Sequence, residues 1–377
     1  MKIDLYHNIR WSRYKAVVFS ALSELCVAEN VELSVFQIAD TEKQRSSLSA
    51  VELSFHKYPH KLMFKGAYGD VPKFELICRL VGQVIFSKSN IILIPGFDQI
   101  EHWFMLLAAK ISGKRVGTFC DSTLLDRRQS KIKGIFKRLF FYFCDGIFCY
   151  GQRAREFLRY YGADDRKIHQ RYQAAALPKG YSADLVKAKR LRADVNKTVF
   201  LYVGRLSEEK ALDVLLAAFK ECCSKIGAAE LRIAGGGPLR DELMEMSRAL
   251  GIDNRVVFLG GLGPNELDLE YTNATCFVLP SKSEPWGLVV NEALHYGCPV
   301  IVSRNCGCVP ELVVEGVTGF SFETGSTTDL ADKLILAVTD LAGRQYTVDA
   351  CMSHISKFSP QTAAMQILIG CRSIAGT

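Results

Sequence analysis

Along the chain, short apolar runs alternate with stretches of helical spacing from one end to the other. The runs fall at residues 2–6, 31–38, 91–94, 115–119 and 146–150, and again at 199–203, 231–234, 256–259, 276–279 and 300–302. Short apolar runs of this kind predict strands buried on both faces. Between them Leu212, Leu215, Leu216 and Phe219 fall on one helical face. Leu239, Leu243, Met246 and Leu250 do the same, with Pro238 near the first turn, where a missing N–H costs least. Strand and helix in alternation predict βαβ units and parallel sheets.

The pattern breaks between residues 174 and 197, a polar stretch with Pro178, Gly180 and the basic run Lys187, Lys189, Arg190 and Arg192. At 377 residues the chain exceeds what one core ordinarily holds, so the break reads as a domain boundary. The expected organisation is a Rossmann-like domain over 1–185, a second over 186–357, and a terminal helix over 358–377 crossing back to the first. In doubly wound sheets ligands bind at the carboxyl ends of the strands, here expected in a cleft between the domains.

Composition narrows the class. With 49% apolar and 23% charged residues, disordered and fibrous chains are excluded. The 47 basic against 40 acidic residues leave +7, a surplus whose meaning depends on its location. Thirteen cysteines, an odd number without C-x-x-C pairs, suit reduced thiols. Residues 1–9 show no secretion signal, and no apolar window reaches the ~18 residues needed to span a bilayer. A cytoplasmic protein that touches membrane only from its surface is expected. The seven histidines show no metal-ligand spacing: His56 and His60 are separated by Pro59, His295 sits in a helix with core character, and His7 ends the first strand. No metal or other cofactor is expected.

The chemistry concentrates between Gly204 and Glu292. Gly204, Arg205 and Lys210 lie in a strand-to-helix turn, where two cations and free helix amides suit a phosphate, although two solvated cations would look the same. A second turn, Gly235-Gly236-Gly237-Pro238, allows close backbone approach to a ligand or merely a tight bend. The third element is more specific: Glu284 and Glu292 stand in an E-x7-E spacing across a loop and a helix start. At ~1.5 Å per helical and up to ~3.4 Å per extended residue, they span roughly 10 to 15 Å. That is about the distance from sugar to ribose in a nucleotide sugar. Amides at Gly287, Leu288 and Val289 would face its diphosphate.

These residues resemble the retaining family 4 glycosyltransferases, which have the GT-B fold. The matching segments are VGRLSEEKALDVLLAAF, LRIAGGGPLRDEL, RVVFLGGL, LPSKSEPWGLVVNEALHYGCPVIVS, GCVPELV and EGVTGF, in the family's order over residues 198–335. The resemblance implies that Arg205 and Lys210 hold the donor diphosphate, Glu284 the donor sugar and Glu292 the ribose, with retention of configuration and no catalytic metal. It also implies Cys308 where the family keeps a glycine.

The N-terminal half departs from the family. After its first strand it reads His7-Asn8-Ile9-Arg10-Trp11-Ser12-Arg13-Tyr14, without the family's Gly-Gly turn. Arg10 and Arg13 are candidates to replace it. The family's His-Asp pair is here Cys120-Asp121, leaving Asp121 as the candidate for sugar or acceptor contact. Residues 127–143 interleave Arg127, Arg128, Lys131, Lys133, Lys137 and Arg138 with large apolar side chains. Part of this is a buried helix face running into the next strand; the rest fits a helix lying on anionic lipid, where each cation gains roughly 1 kcal/mol. Lys57, Lys61, Phe64 and Lys65 are candidates to extend it. No nucleic-acid motif accompanies these charges.

The expectation is therefore a transferase moving a sugar from a nucleotide-diphosphate donor, UDP first and GDP next, to a lipid-linked glycan or other cell-surface polysaccharide precursor on an anionic membrane. A GT-B sugar phosphorylase or epimerase, and a non-catalytic nucleotide-sugar-binding subunit, stay open at this point.

Overall fold

The computed structural model describes residues 1–42, 51–126, 129–192, 197–342 and 345–376. The chain divides into two compact units, residues 1–176 with 359–377, and 177–358. Both are α/β units built on a wholly parallel sheet.

The first unit runs β1 (Lys2–Ile9), α1 (Arg13–Ala28), β2 (Glu32–Ala39), β3 (His60–Leu62), α2 (Lys73–Phe86), β4 (Ile91–Ile94), α3 (Ile100–Ile111), β5 (Arg115–Cys120), α4 (Lys131–Phe143), β6 (Gly146–Tyr150), α5 (Gly151–Tyr160) and β7 (Ile168–Arg171). Its seven strands lie in the order β3-β2-β1-β4-β5-β6-β7. The second unit runs α6 (Ala183–Arg190), β8 (Thr198–Val203), α7 (Leu212–Ile226), β9 (Ala229–Ala234), α8 (Arg240–Ala249), β10 (Val256–Gly260), α9 (Pro264–Asn273) and β11 (Cys276–Leu279). It continues with α10 (Leu288–His295), β12 (Val300–Ser303), α11 (Val309–Leu312), β13 (Gly319–Phe322), α12 (Thr327–Leu336) and α13 (Gln345–Ile355). Here the order is β10-β9-β8-β11-β12-β13. The last helix, α14 (Pro360–Ala375), belongs to the first unit.

The central strands are buried throughout because helices cover both faces: Ile91 to Ile94, Cys276 to Leu279 and Val300 to Ser303 are all inaccessible. Helix α14 starts on a Ser359 cap with Pro360 at its first position, and buries Ala363, Ala364, Ile367, Leu368, Cys371 and Ile374 in a core shared with Phe19, Leu22 and Cys26 of α1. Arg372 pairs with Glu29 at 2.7 Å beside it.

Three strands were not foreseen. β3 and β7 are short, polar edge strands, HKL and IHQR, and β13 is only GFSF. Edge strands are often short and charged, which erases the apolar run that marks a central one. The units change over at Ala176, ahead of the 185/186 division expected from composition. The basic run after that point is folded into the second unit: Arg190 donates to the carbonyls of Tyr271, Thr272 and Ala274 at 2.9, 3.1 and 2.7 Å. The thirteen cysteines are free thiols, most of them buried.

Candidate functional site

In each sheet the connection reverses direction once, between β1 and β4 in the first unit and between β8 and β11 in the second. Ligands of doubly wound sheets collect at that switch point, beyond the carboxyl ends of the strands. In the second unit the loops leaving β8 and β11 carry Arg205, Lys210 and Glu284 to this position.

The first loop is held by backbone. The Gly204 amide donates to Ala234 at 3.0 Å, and Leu206 donates to the Gly236 carbonyl at 3.0 Å. Gly235 makes this possible: its φ is +133°, and a Cβ there would stand 1.9 Å from the Gly204 carbonyl oxygen. No side chain fits such an approach, so the triple-glycine turn first of all braces the Arg205 loop. Tyr202, buried below, donates its hydroxyl to the Arg205 carbonyl at 2.8 Å.

The second loop is tied to the first. Lys282 N–H donates to the Glu209 carbonyl at 2.8 Å, and Lys210 makes a short ion pair with the Glu284 carboxylate. Both members of that pair are mostly buried, 13% and 19% exposed, so breaking it leaves a poorly solvated charge. Arg205 is exposed and pairs with Glu209 at 3.2 Å, leaving its guanidinium on the surface of the site.

Gly287, at φ +100°, is the N-cap of α10, in a conformation open to glycine at little cost. Its turn packs on the buried Cys308, whose sulfur would lie 3.6 Å from a Cβ at Gly287. The thiol therefore fills space beneath the turn, and burial pushes its pKa well up. Leu288 and Val289 open the helix half-buried, and the amides of such a first turn lack intrahelical acceptors. Glu292, one turn further on, accepts from the buried Tyr271 hydroxyl at 2.9 Å. Trp286 locks the same helix by donating its indole N–H to Asn291 at 2.8 Å.

Thus Gly204, Arg205, Lys210, Gly235, Gly236, Glu284, Gly287, Leu288, Val289 and Glu292 belong to linked loops at one end of one sheet. Asp121 lies in the other unit, exposed beyond β5. Three supporting residues escaped sequence reading. Gly307 N–H donates to the Glu284 carbonyl at 2.8 Å, Tyr271 holds Glu292, and Tyr202 holds the Arg205 loop. The first stands inside a matching segment, GCVPELV, and could have been found there. The tyrosines are distant in sequence or indistinguishable from core.

In the first unit Arg10 pairs with Asp40 at 2.5 Å and Arg13 makes a short pair with Glu52, so both candidate replacements for the glycine turn are engaged in local ion pairs. Cys120 is buried, and its pKa is pushed well up by burial and by Asp121. Lys131, Lys133 and Arg138 are exposed on α4. Lys137 is not part of that exposed row: its ammonium stands 4.5 Å over the Tyr161 ring and 4.7 Å over Phe157. Attraction to the ring faces turns it inward. Arg127 and Arg128 lie outside the described residues. Lys57, Lys61, Phe64 and Lys65 surround β3, which β2, β1 and β4 separate from β5 in the sheet, so they do not continue the α4 surface.

A parallel doubly wound sheet in each unit defines the GT-B fold, and solved structures agree. WaaB, a lipopolysaccharide outer core galactosyltransferase, superposes with a TM-score of 0.75 at 17% identity over 99% of both chains. HepE of Anabaena, solved with UDP and glucose, gives 0.71 at 18% identity over 99% of this chain and 100% of its own. Residues 186–349 match the model of the glycosyl transferases group 1 family. D-inositol 3-phosphate glycosyltransferase of Rhodococcus opacus is 33% identical over 225 residues, 58% of this chain and 50% of its own. Sulfoquinovosyl transferase SQD2 of Arabidopsis thaliana is 28% identical over 209 residues, 55% of this chain and 38% of its own. The chain thus spans half or less of these curated relatives.

Proposed function

We propose that the protein is a retaining, metal-independent glycosyltransferase that moves a sugar from a UDP-sugar to a lipid-linked glycan or other cell-surface polysaccharide precursor. One observation carries this reading: the Lys210–Glu284 pair joins the cationic loop after β8 to the loop that opens α10. A sugar diphosphate placed there meets Arg205, Lys210 and the amides of Leu288 and Val289 on its phosphates, Glu284 on its sugar and Glu292 on its ribose. The two cations and the helix end stabilise the charge that grows on the departing diphosphate, a kind of contribution worth ~3 to 4 kcal/mol per donor in a preorganised site. No metal is needed for that task. The acceptor hydroxyl attacks the face the diphosphate leaves and passes its proton to a phosphate oxygen. Configuration is then retained without a protein nucleophile.

The UDP and glucose bound by HepE and the family match support the donor class. The membrane side of the proposal rests on α3 and α4. Helix α3 exposes Ile100, Phe104, Leu107 and Ile111 along one stripe, and α4 exposes Ile132, Ile135, Phe136 and Leu139. Trp103 of α3 packs edge-on against Phe136 and Phe140 of α4, making the two stripes neighbours. Apolar side chains bordered by Lys131, Lys133 and Arg138 suit an anionic lipid surface. No described helix is long and apolar enough to cross a membrane.

The test is a thermal-shift screen of UDP, GDP and their sugars with EDTA present. A ligand at 100 times its Kd adds about 2.7 kcal/mol of stability, so UDP should raise the melting temperature clearly and GDP less. No shift with any nucleotide overturns the reading. A shift without sugar transfer to any acceptor replaces it with a nucleotide-sugar-binding subunit, and phosphate-dependent turnover replaces it with a phosphorylase.

A further inference from the structure

The switch point of the first unit holds a cavity of about 190 Å³, lined among others by His7, Ser12, Lys15, Asp121 and Tyr150. That is far above the roughly 10 to 15 Å³ a single water needs on this measure. Lys15 stands at its wall, and Arg171 lies behind the Tyr150 that lines it. Lys15 of α1 and Arg171 of β7 are 8% and 2% exposed, and both make short hydrogen bonds to one phenol oxygen, that of Tyr150. The Arg171 guanidinium lies 4.1 Å over the Tyr150 ring and 4.7 Å over Phe119, and the Lys15 ammonium 4.7 Å over Tyr150.

Two buried basic side chains thus share a neutral oxygen and two aromatic faces. Neither forms an ion pair with a carboxylate among the described residues. Two carboxylates line the cavity, Asp121 exposed and Glu42 half-buried. Burial and the Arg171 charge drive the Lys15 pKa well below its ordinary value, and Asp121 raises it only in part. His7, held neutral with a pKa near 3, adds no charge. A buried charge without a counter-ion is expensive, and the group either gives up its proton or takes an anion beside it. Two further polar atoms in this cluster are buried without a partner: Ser12 Oγ, on the cavity wall, and Arg171 Nε.

We propose that this cavity is an anion subsite for a phosphate group carried by the acceptor, with Lys15 and the Ser12 hydroxyl touching the anion and Arg171 adding charge through Tyr150. The assignment of the acceptor rests on the transferase reading; the phosphate site itself does not. Its logic is that of charge-assisted hydrogen bonding in a poorly solvated place, where an anion gains more than at the surface.

The full chain carrying Arg205→Ala and Lys210→Ala, which silences the anion site of the second unit, is titrated calorimetrically with inorganic phosphate, a hexose 6-phosphate and dihexanoyl phosphatidic acid. Saturable binding is expected, at least tenfold weaker after Lys15→Met and several-fold weaker after Ser12→Ala. Tighter binding of the hexose phosphate assigns the group to a glycan or soluble acceptor, and of the short lipid to a lipid acceptor. No saturable binding by any of the three, or binding unchanged by both substitutions, overturns the proposal. Circular dichroism verifies that Lys15→Met folds; if it does not, Ser12→Ala and Lys15→Gln decide. UDP binding by Lys15→Met in the otherwise native chain should be intact. Its absence in the native chain too would sink the transferase reading and leave the phosphate result standing.

Discussion

The two units place their chemistry at the same topological position and build it in opposite ways. In the second, loops meet through backbone: Gly235 against the Gly204 carbonyl, Lys282 N–H on Glu209, Gly307 N–H on Glu284. In the first, the equivalent position is furnished by side chains from remote segments, Lys15 from α1, Tyr150 from β6 and Arg171 from β7. Backbone approach demands glycine at fixed places and so leaves a motif. Side chains converging from separate elements leave none, and tolerate replacement by other groups of the same charge.

The sharpest way to break this comparison is to remove the two glutamates of the second unit one at a time. Glu284→Ala takes away the group facing the sugar and frees Lys210; the turnover number should fall by roughly 10² to 10³, the cost of losing one well-placed electrostatic contact. UDP affinity should change by no more than a few-fold. Glu292→Ala removes the ribose partner and leaves Tyr271 without its acceptor, so UDP binding should weaken by roughly 10- to 100-fold, the ~1.5 to 3 kcal/mol of a hydrogen bond to a charged group. Steady-state kinetics with calorimetric binding separates the two. Equal effects on binding and turnover from both variants would mean that the E-x7-E pair does not divide sugar from ribose.

That division also marks how far the sequence could be read. The strands β8, β9 and β11 and the glycine turns were legible because central parallel strands are continuous apolar runs and because backbone approach admits only glycine. Edge strands β3 and β7 were not, and β7 carries Arg171. Lys15 sits in a helix whose other buried residues, such as Ala16, Phe19 and Leu22, look like ordinary core, so nothing in the local pattern distinguishes it. Arg10 and Arg13, the visible cations of the same segment, are paired with Asp40 and Glu52.

Acid should separate the units next. His7 and His102 of the first unit are held neutral by burial, with pKa values near 3 and 4, and in the second unit His295 is held near 4. Each is lower than the ~6.5 of an unfolded chain, so the unfolded state takes up these protons first. Their contribution is complete above pH 6.5 and is lost as pH falls toward 4, at up to about 1.4 kcal/mol per pH unit for each group. Glu101, whose burial is outweighed by hydrogen bonds from Lys73 and Tyr68 that lower its pKa, acts in the same direction below about pH 4.5. With more such groups, the first unit should melt earlier as pH drops from 6.5 to 4.5. Calorimetry should resolve one transition that moves and one that moves less; a single transition, or the second unit leading, contradicts this account.

The smallest expected effect concerns the surface the second unit has no counterpart for among its exposed apolar residues. On the first, α3 and α4 expose two adjacent apolar stripes. Lys131 and Lys133 stand beside them, whereas Lys137 is turned onto Phe157 and Tyr161. If lipid covers this face, each exposed lysine contributes roughly 1 kcal/mol on an anionic membrane. Lys131→Ala or Lys133→Ala should then weaken partition onto phosphatidylserine vesicles by about fivefold, while Lys137→Met should leave it unchanged. Neutral vesicles supply the control, since on them the lysine effects should vanish and only Phe136→Ser should matter. Identical losses for all three lysines would mean that net charge alone drives binding, and that the inward turn of Lys137 has no bearing on it.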